Sequence, residues 1–85
     1  MAKTFGLNIL SPEKSIYQGN AFFLTAPGEA GDLGVLPDHA PLVTTLHPGR
    51  ISFKNQSGQE TVLEFQGKGF LEVLRNEVTV TLSAV

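Results

Sequence analysis

Apolar and polar side chains alternate along most of this chain, and that two-residue period constrains the fold more than any other feature. In TFGLNIL, Phe5, Leu7 and Ile9 fall on one side; in RISFKN, Ile51 and Phe53 oppose Ser52 and Lys54. In ETVLEFQ, Thr61, Leu63 and Phe65 share a side, and in NEVTVTL, Val78, Val80 and Leu82 alternate with Thr79 and Thr81. Successive side chains of an extended strand point to opposite faces, so each run reads as a half-buried strand. The β-branched and aromatic residues in them suit a pleated surface packed on one side. Turn signals separate the runs at short intervals: Ser11-Pro12, Gly19-Asn20, Pro27-Gly28, Pro48-Gly49, Ser57-Gly58, Gly67-Lys68-Gly69 and Arg75-Asn76. No window carries an apolar stripe of helical period and length. The expectation is an all-β, single-domain chain, an antiparallel sandwich or barrel spanning residues 1–85.

Size limits what such a fold can do. With 85 residues there is material for one modest core and none for a deep cleft between two domains. The six Lys and Arg residues, set against eight Asp and Glu, are scattered rather than clustered, which argues against binding to nucleic acid. Cysteine is absent, so neither a disulfide framework nor a thiolate metal site is available, a weak pointer to a reducing compartment. The opening MAKTFGLNIL lacks the apolar stretch of a signal peptide, and no apolar run is long enough to span a bilayer. Any membrane link is expected to come through a partner rather than by direct insertion.

Two strands break the alternation. AFFLTA sets Phe22 beside Phe23, and GFLEVL sets Phe70 beside Leu71 and Val73 beside Leu74. Neighbours on a strand cannot share a face, so one of each pair enters the core and the other turns outward. Either local twist buries both, or a partner covers the second face.

The segment GEAGDLGVLPDHAPL, Gly28 to Leu42, poses the functional question. It holds three glycines, two prolines, three acids and a histidine. Glu29, Asp32, Asp38, His39 and His47 are the candidates for catalysis or metal binding. General acid–base work needs two groups converging on one point, and zinc needs three or four ligands at compatible spacing. Asp38 and His39 are adjacent and diverge in extended backbone, while Pro37 and Pro41 restrict that region to extended or turn geometry. No metalloprotease, nucleophile-elbow or phosphate-loop motif occurs. No catalytic residue, cofactor or metal site is therefore assigned. Carbohydrate binding needs exposed aromatic platforms, and the chain has no tryptophan and one tyrosine, Tyr17. A docking surface stiffened by prolines is the reading that remains, with a free-standing module binding a glycan or protein ligand as the alternative.

Taken together, NILSPEKSIYQGNA, APGEAGDLGVLPDHAPLVTTLHPGRI and GKGFLEVLRNEVTV resemble the N-terminal β-sandwich domain of the ε subunit of bacterial F-type ATP synthase, the counterpart of chloroplast ε and mitochondrial δ. The resemblance runs from about Leu7 to the end, with GDLGVLPDHAPL and PGRI its most specific parts. It implies a flattened antiparallel sandwich of about ten short strands. It also implies a non-catalytic subunit of the central stalk, or rotor, in the F1 part of a proton-translocating enzyme. The implied partners are the gamma subunit of F1 and the c-ring of Fo, with the chain a monomer within a hetero-oligomeric complex on the cytoplasmic face of the bacterial cell membrane. By the family pattern Asp32 stands near the c-ring, with Glu29 and Leu33 beside it. Ser11, His39 and Thr44 match positions at or near the gamma contact. One departure stands out: relatives continue into a helical hairpin that carries inhibition and, in some, ATP binding. The sequence ends at Val85 without it, so neither role is expected here.

Overall fold

Eight strands account for most of the computed structural model, which describes residues 3–84: β1 (Phe5–Leu10), β2 (Ser15–Gly28), β3 (Gly31–Val35), β4 (Leu42–Leu46), β5 (Gly49–Asn55), β6 (Glu60–Phe65), β7 (Gly69–Leu74) and β8 (Glu77–Leu82). No helix occurs among the described residues. The strands form two layers that share β2. The first half of β2 pairs with β1, and the layer continues β1-β8-β7-β4; the second half pairs with β3 on one side and β5 on the other, with β6 beyond. A single bridge, Gly28 to Leu46, ties β4 back to β2. All pairs are antiparallel except β1 with β8, which run parallel. The extents of 36 × 23 × 18 Å are those of a flattened body.

The alternation does what the sequence predicts. Phe5, Leu7, Ile9, Ile51, Phe53, Phe65, Val78, Val80 and Leu82 are all buried, joined by Leu24, Leu46 and Leu71. Thr61, expected on the side of Leu63 and Phe65, lies exposed near the far end of the edge strand β6. No polar or charged side chain among the described residues is buried. Each large apolar side chain removed from water contributes about 1.5–3 kcal/mol, so this apolar core carries most of the stability and leaves the ion pairs at the surface.

Fewer strands form than the expected ten or so, because β2 runs for 14 residues straight through Gly19-Asn20, where a turn is predicted. Gly19 faces Leu7 and Asn20 faces Gly6 on β1, and that ladder keeps the segment extended. The predicted turn at Pro27-Gly28 likewise falls two residues late, at Glu29-Ala30. By contrast, Arg75 and Asn76 both have positive φ, 52° and 62°, and make the tight β7–β8 hairpin.

The adjacent aromatics of β2 are accommodated by a bulge. Ala21 pairs with Asn55 and Phe23 with Lys54, leaving Phe22 without an opposite number in that ladder. One extra residue re-phases the strand, so Ala21 and Leu24 both point inward while Phe22 and Phe23 are each half-buried. In β7 the alternation is clean: Leu71 and Val73 are buried, Phe70 and Leu74 are exposed.

Candidate functional surfaces

The ladder registers fix what the outer face of the β1-β8-β7-β4 layer presents. One row reads Leu10, Thr81, Phe70, Thr45; the next reads Asn8, Thr79, Glu72, Val43; the third begins Gly6, Glu77, Leu74. Phe70 is 46%, Leu74 48% and Val43 58% exposed. Three large apolar side chains on one open face cost nothing in folding, but they are the side chains a partner surface would cover.

Ser11, His39 and Thr44 stand around this face. Ser11 follows the last residue of β1, where its amide (2.9 Å) and hydroxyl (3.3 Å) both donate to the Lys14 carbonyl and close a tight turn. His39 lies at the diagonally opposite corner, in the loop leading into β4. Its amide donates to the Leu36 carbonyl and its Nδ1 lies 2.7 Å from the Ala40 carbonyl. A carbonyl oxygen can only accept, so Nδ1 is the donor in that contact. Thr44 sits on the core-facing row of β4, opposite the buried Leu71 and half-buried itself. Val43 and Thr45, its neighbours, are the ones that face outward. Sequence reasoning missed Val43, although the alternation in LVTTL contains it.

Glu29, Asp32 and Leu33 lie around the β2–β3 turn at one end of the molecule. Glu29 is exposed, and its amide donates to the Thr45 carbonyl (3.0 Å). Asp32, opposite Pro27, is exposed; Leu33, opposite Ala26, is half-buried and packs on the core. Asp32 and Leu33 therefore face opposite sides of β3. The glycines here differ in purpose. Gly31 has φ of 133°, a conformation side chains disfavour, whereas Gly34 has neither positive φ nor a crowded Cβ position. The tight approach is at Gly28 instead.

Asp32 also stands at the rim of an open groove of about 870 Å³ on the outer face of the β3-β2-β5-β6 layer. Gly34, Thr25, Ser52 and Val62 cross it as one row, and the Thr25 and Ser52 hydroxyls share a 2.7 Å hydrogen bond. Arg50 on its wall is paired with Glu64 across β5 and β6 (3.1 Å).

Asp38 and His39, the adjacent candidates for acid–base chemistry, do not converge on one point. The Asp38 carboxylate is held by Lys3, while the His39 ring turns to Ala40, so the two adjacent candidates diverge. The Lys3 ammonium is raised above its ordinary value by its hydrogen bond to Asp38 and by that neighbouring charge. His47 Nδ1 lies 3.0 Å from the Pro48 carbonyl, local turn chemistry. Among the described residues no three His, Asp or Glu groups gather around a point where a metal could sit. Tyr17 offers no sugar platform, because its ring packs on Phe53 with centroids 4.5 Å apart and its hydroxyl donates to the Asn20 carbonyl. No helix among the described residues is long and apolar enough to cross a membrane.

Residues 4–85 match the family model described as "ATP synthase, Delta/Epsilon chain, beta-sandwich domain". The ATP synthase epsilon chain of Janthinobacterium sp. (strain Marseille) is 41% identical over 80 residues, covering 94% of this chain and 57% of that protein. The chain thus spans little more than half the length of that curated relative. Its fold is matched, at TM-score 0.87 and 24% identity, by a chain in the cryo-EM structure of the Euglena gracilis mitochondrial ATP synthase, OSCP/F1/c-ring in rotational state 1. That match covers 96% of this chain and 52% of the other. A chain of the Tetrahymena thermophila mitochondrial ATP synthase central stalk and c-ring matches at TM-score 0.76 and 18% identity, covering 96% and 65%.

Proposed function

Because this chain belongs to the family of ATP synthase delta/epsilon β-sandwich domains, we propose that it is a non-catalytic central-stalk part of a proton-translocating ATP synthase. In this role it docks the gamma subunit of F1 to the c-ring of Fo, as a peripheral component on the cytoplasmic face of a bacterial cell membrane. The observation that carries the reading is the exposed face of Phe70, Leu74 and Val43 on a fold shared with that family. Ser11 and His39 mark opposite corners of this face, and Thr44 underlies it from the core side of β4. We assign the face to gamma.

The opposite kind of contact suits the β2–β3 turn. Glu29 and Asp32 are exposed acids on a short, glycine-bent hairpin, with Leu33 packed beneath to hold it. We assign this turn to the polar loops of the c-ring. The division of labour follows from magnitudes: apolar area against gamma, at about 25 cal/mol per Å² before association costs, supplies affinity. The exposed acids orient and contribute at most about 1 kcal/mol each. A core without buried polar groups and a body closed by the Gly28–Leu46 bridge suit a part that passes on torque without deforming.

The test is size-exclusion chromatography of this chain with its cognate gamma subunit. Co-migration at micromolar concentration is the expected result for an interface of ordinary size. Separate elution of the two proteins would remove the reading.

A further inference from the structure

Asn76 makes more connections than a hairpin residue needs. It stands at the second position of the β7–β8 turn with φ of 62°, a conformation asparagine tolerates. Its backbone carbonyl accepts from the Gly6 amide at 3.1 Å, as the hairpin meets β1. Its side-chain amide donates to the Thr4 carbonyl at 2.9 Å, and its Oδ1 accepts from the Asp38 amide at 2.8 Å. One partly buried carboxamide therefore joins the segment before β1 to a loop 38 residues away in sequence. Asp38 has φ of 65°, and its carboxylate reaches Lys3 in the same N-terminal segment. The next residue is His39, whose ring is already turned by its bond to Ala40.

The Leu36–Pro41 stretch has no strand ladder of its own. Its position is set by the Leu36–His39 backbone bond, the exposed Lys3–Asp38 pair and the bond to Asn76. An exposed ion pair holds geometry weakly. The Asp38–Asn76 bond is exposed as well, but its acceptor is fixed in place, because the same carboxamide donates to the Thr4 carbonyl in a partly buried bond.

We propose that Asn76 is a positioning residue for the docking surface: its carboxamide holds the Asp38 amide and thereby fixes where His39 stands. The proposal rests on the reading that the His39 corner meets gamma. In this proposal Asn76 acts through the loop, by way of the Asp38 amide.

The experiment compares Asn76→Gly, which keeps the left-handed backbone and removes both side-chain bonds, with Asn76→Asp, which keeps the acceptor for Asp38. Amide exchange measured by NMR reads the loop, and binding to the gamma subunit reads docking. In Asn76→Gly the Asp38 amide should exchange about tenfold faster or more, the equivalent of one lost hydrogen bond. Amides of β1 and β8 should keep their protection, and gamma affinity should fall by a similar factor. Asn76→Asp should keep Asp38 protected and most of the affinity. Combined with His39→Ala, Asn76→Gly should add little, because both act through one ring.

Unchanged exchange at Asp38 in Asn76→Gly would overturn the proposal, as would normal gamma affinity with a loosened loop, or effects that simply add to those of His39→Ala. If His39→Ala alone leaves gamma binding intact, the docking reading of this corner fails instead, and the exchange data still report on the tether.

Discussion

Leu33 folds its Cδ2 methyl onto Gly28, where a β carbon would come within 2.6 Å of that methyl and 2.9 Å of the Gly31 carbonyl oxygen. The β2–β3 turn is shaped by this contact, which leaves no room for a side chain at Gly28. Gly28→Ala should destabilise the domain by about 1–3 kcal/mol, the usual cost of forcing atoms into a packed site. Adding Leu33→Ala relieves the methyl clash but not the one with the Gly31 carbonyl, so the double variant should fall short of rescue. Urea denaturation of both variants checks the ordering.

Gly31 and Gly34 look equivalent in the sequence and are not in the structure. At Gly31 the Cβ would meet open space, but φ of 133° penalises any side chain. Gly31→Val should cost about 1–3 kcal/mol through backbone strain alone. At Gly34 a Cβ would lie an ordinary 3.7 Å from the Phe23 ring. Gly34→Ala should therefore stay within about 0.5 kcal/mol of the parent. Thermal melts of the two variants separate the cases, and equal losses would contradict the account.

The fold was legible wherever one face of a strand is buried, because a two-residue period then fixes which side chains point inward. Phe5-Leu7-Ile9 and Val78-Val80-Leu82 are read correctly for that reason. Gly19-Asn20 misleads because turn residues carry no veto when a neighbouring strand supplies a ladder, here Leu7 and Gly6 of β1. Phe22-Phe23 signals a conflict, and the bulge that resolves it depends on β5, about 30 residues downstream. At the surface, the expectation grouped Leu33 with Asp32 in one patch, although neighbours along a strand turn to opposite faces and Leu33 packs on the core. The bond from Asp38 to Asn76 was not, because two loops meet only once both layers have formed.

Phe70 is exposed between Thr81 and Thr45, and Leu74 is exposed beside Glu77 on the same face. Phe70→Thr and Leu74→Thr should each leave stability within about 0.5 kcal/mol. Threonine keeps strand propensity, so the ladder is retained. Affinity for gamma should drop about tenfold for Phe70→Thr if it lies near the centre of the contact, where large apolar anchors dominate binding. Calorimetric titration into gamma checks this, with circular dichroism as the control for fold.

The hydrogen bond to Asp38 and the carboxylate's charge raise the Lys3 ammonium above its ordinary 10.5. A pKa raised on folding means the pair's contribution is fully present below pH 10.5 and is lost as pH climbs through the folded value. Both side chains are well exposed, so the effect is small and screened by salt. The melting temperature should fall slightly more steeply above pH 10.5 in the parent than in Lys3→Ala. Identical pH profiles would mean the pair does not persist in solution.

Asp32 is exposed on β3 and has no salt-bridge partner among the described residues, so its charge is available to a neighbour. Its side-chain direction is opposite to that of Leu33, so removing the carboxylate touches no core contact and the fold should be indifferent. Asp32→Ala should therefore melt with the parent, while binding to a detergent-solubilised c-ring weakens by a fraction of a kcal/mol to about 1 kcal/mol. Asp32→Asn separates charge from hydrogen bonding: a purely ionic contact is lost in both variants, a hydrogen-bonded one survives in the amide. Raising salt should erase the difference between parent and Asp32→Ala, because an exposed pair is screened at a Debye length of about 8–10 Å. A loss that persists undiminished in high salt would place the effect in shape rather than charge, and would shift the contact from Asp32 itself to the turn that carries it.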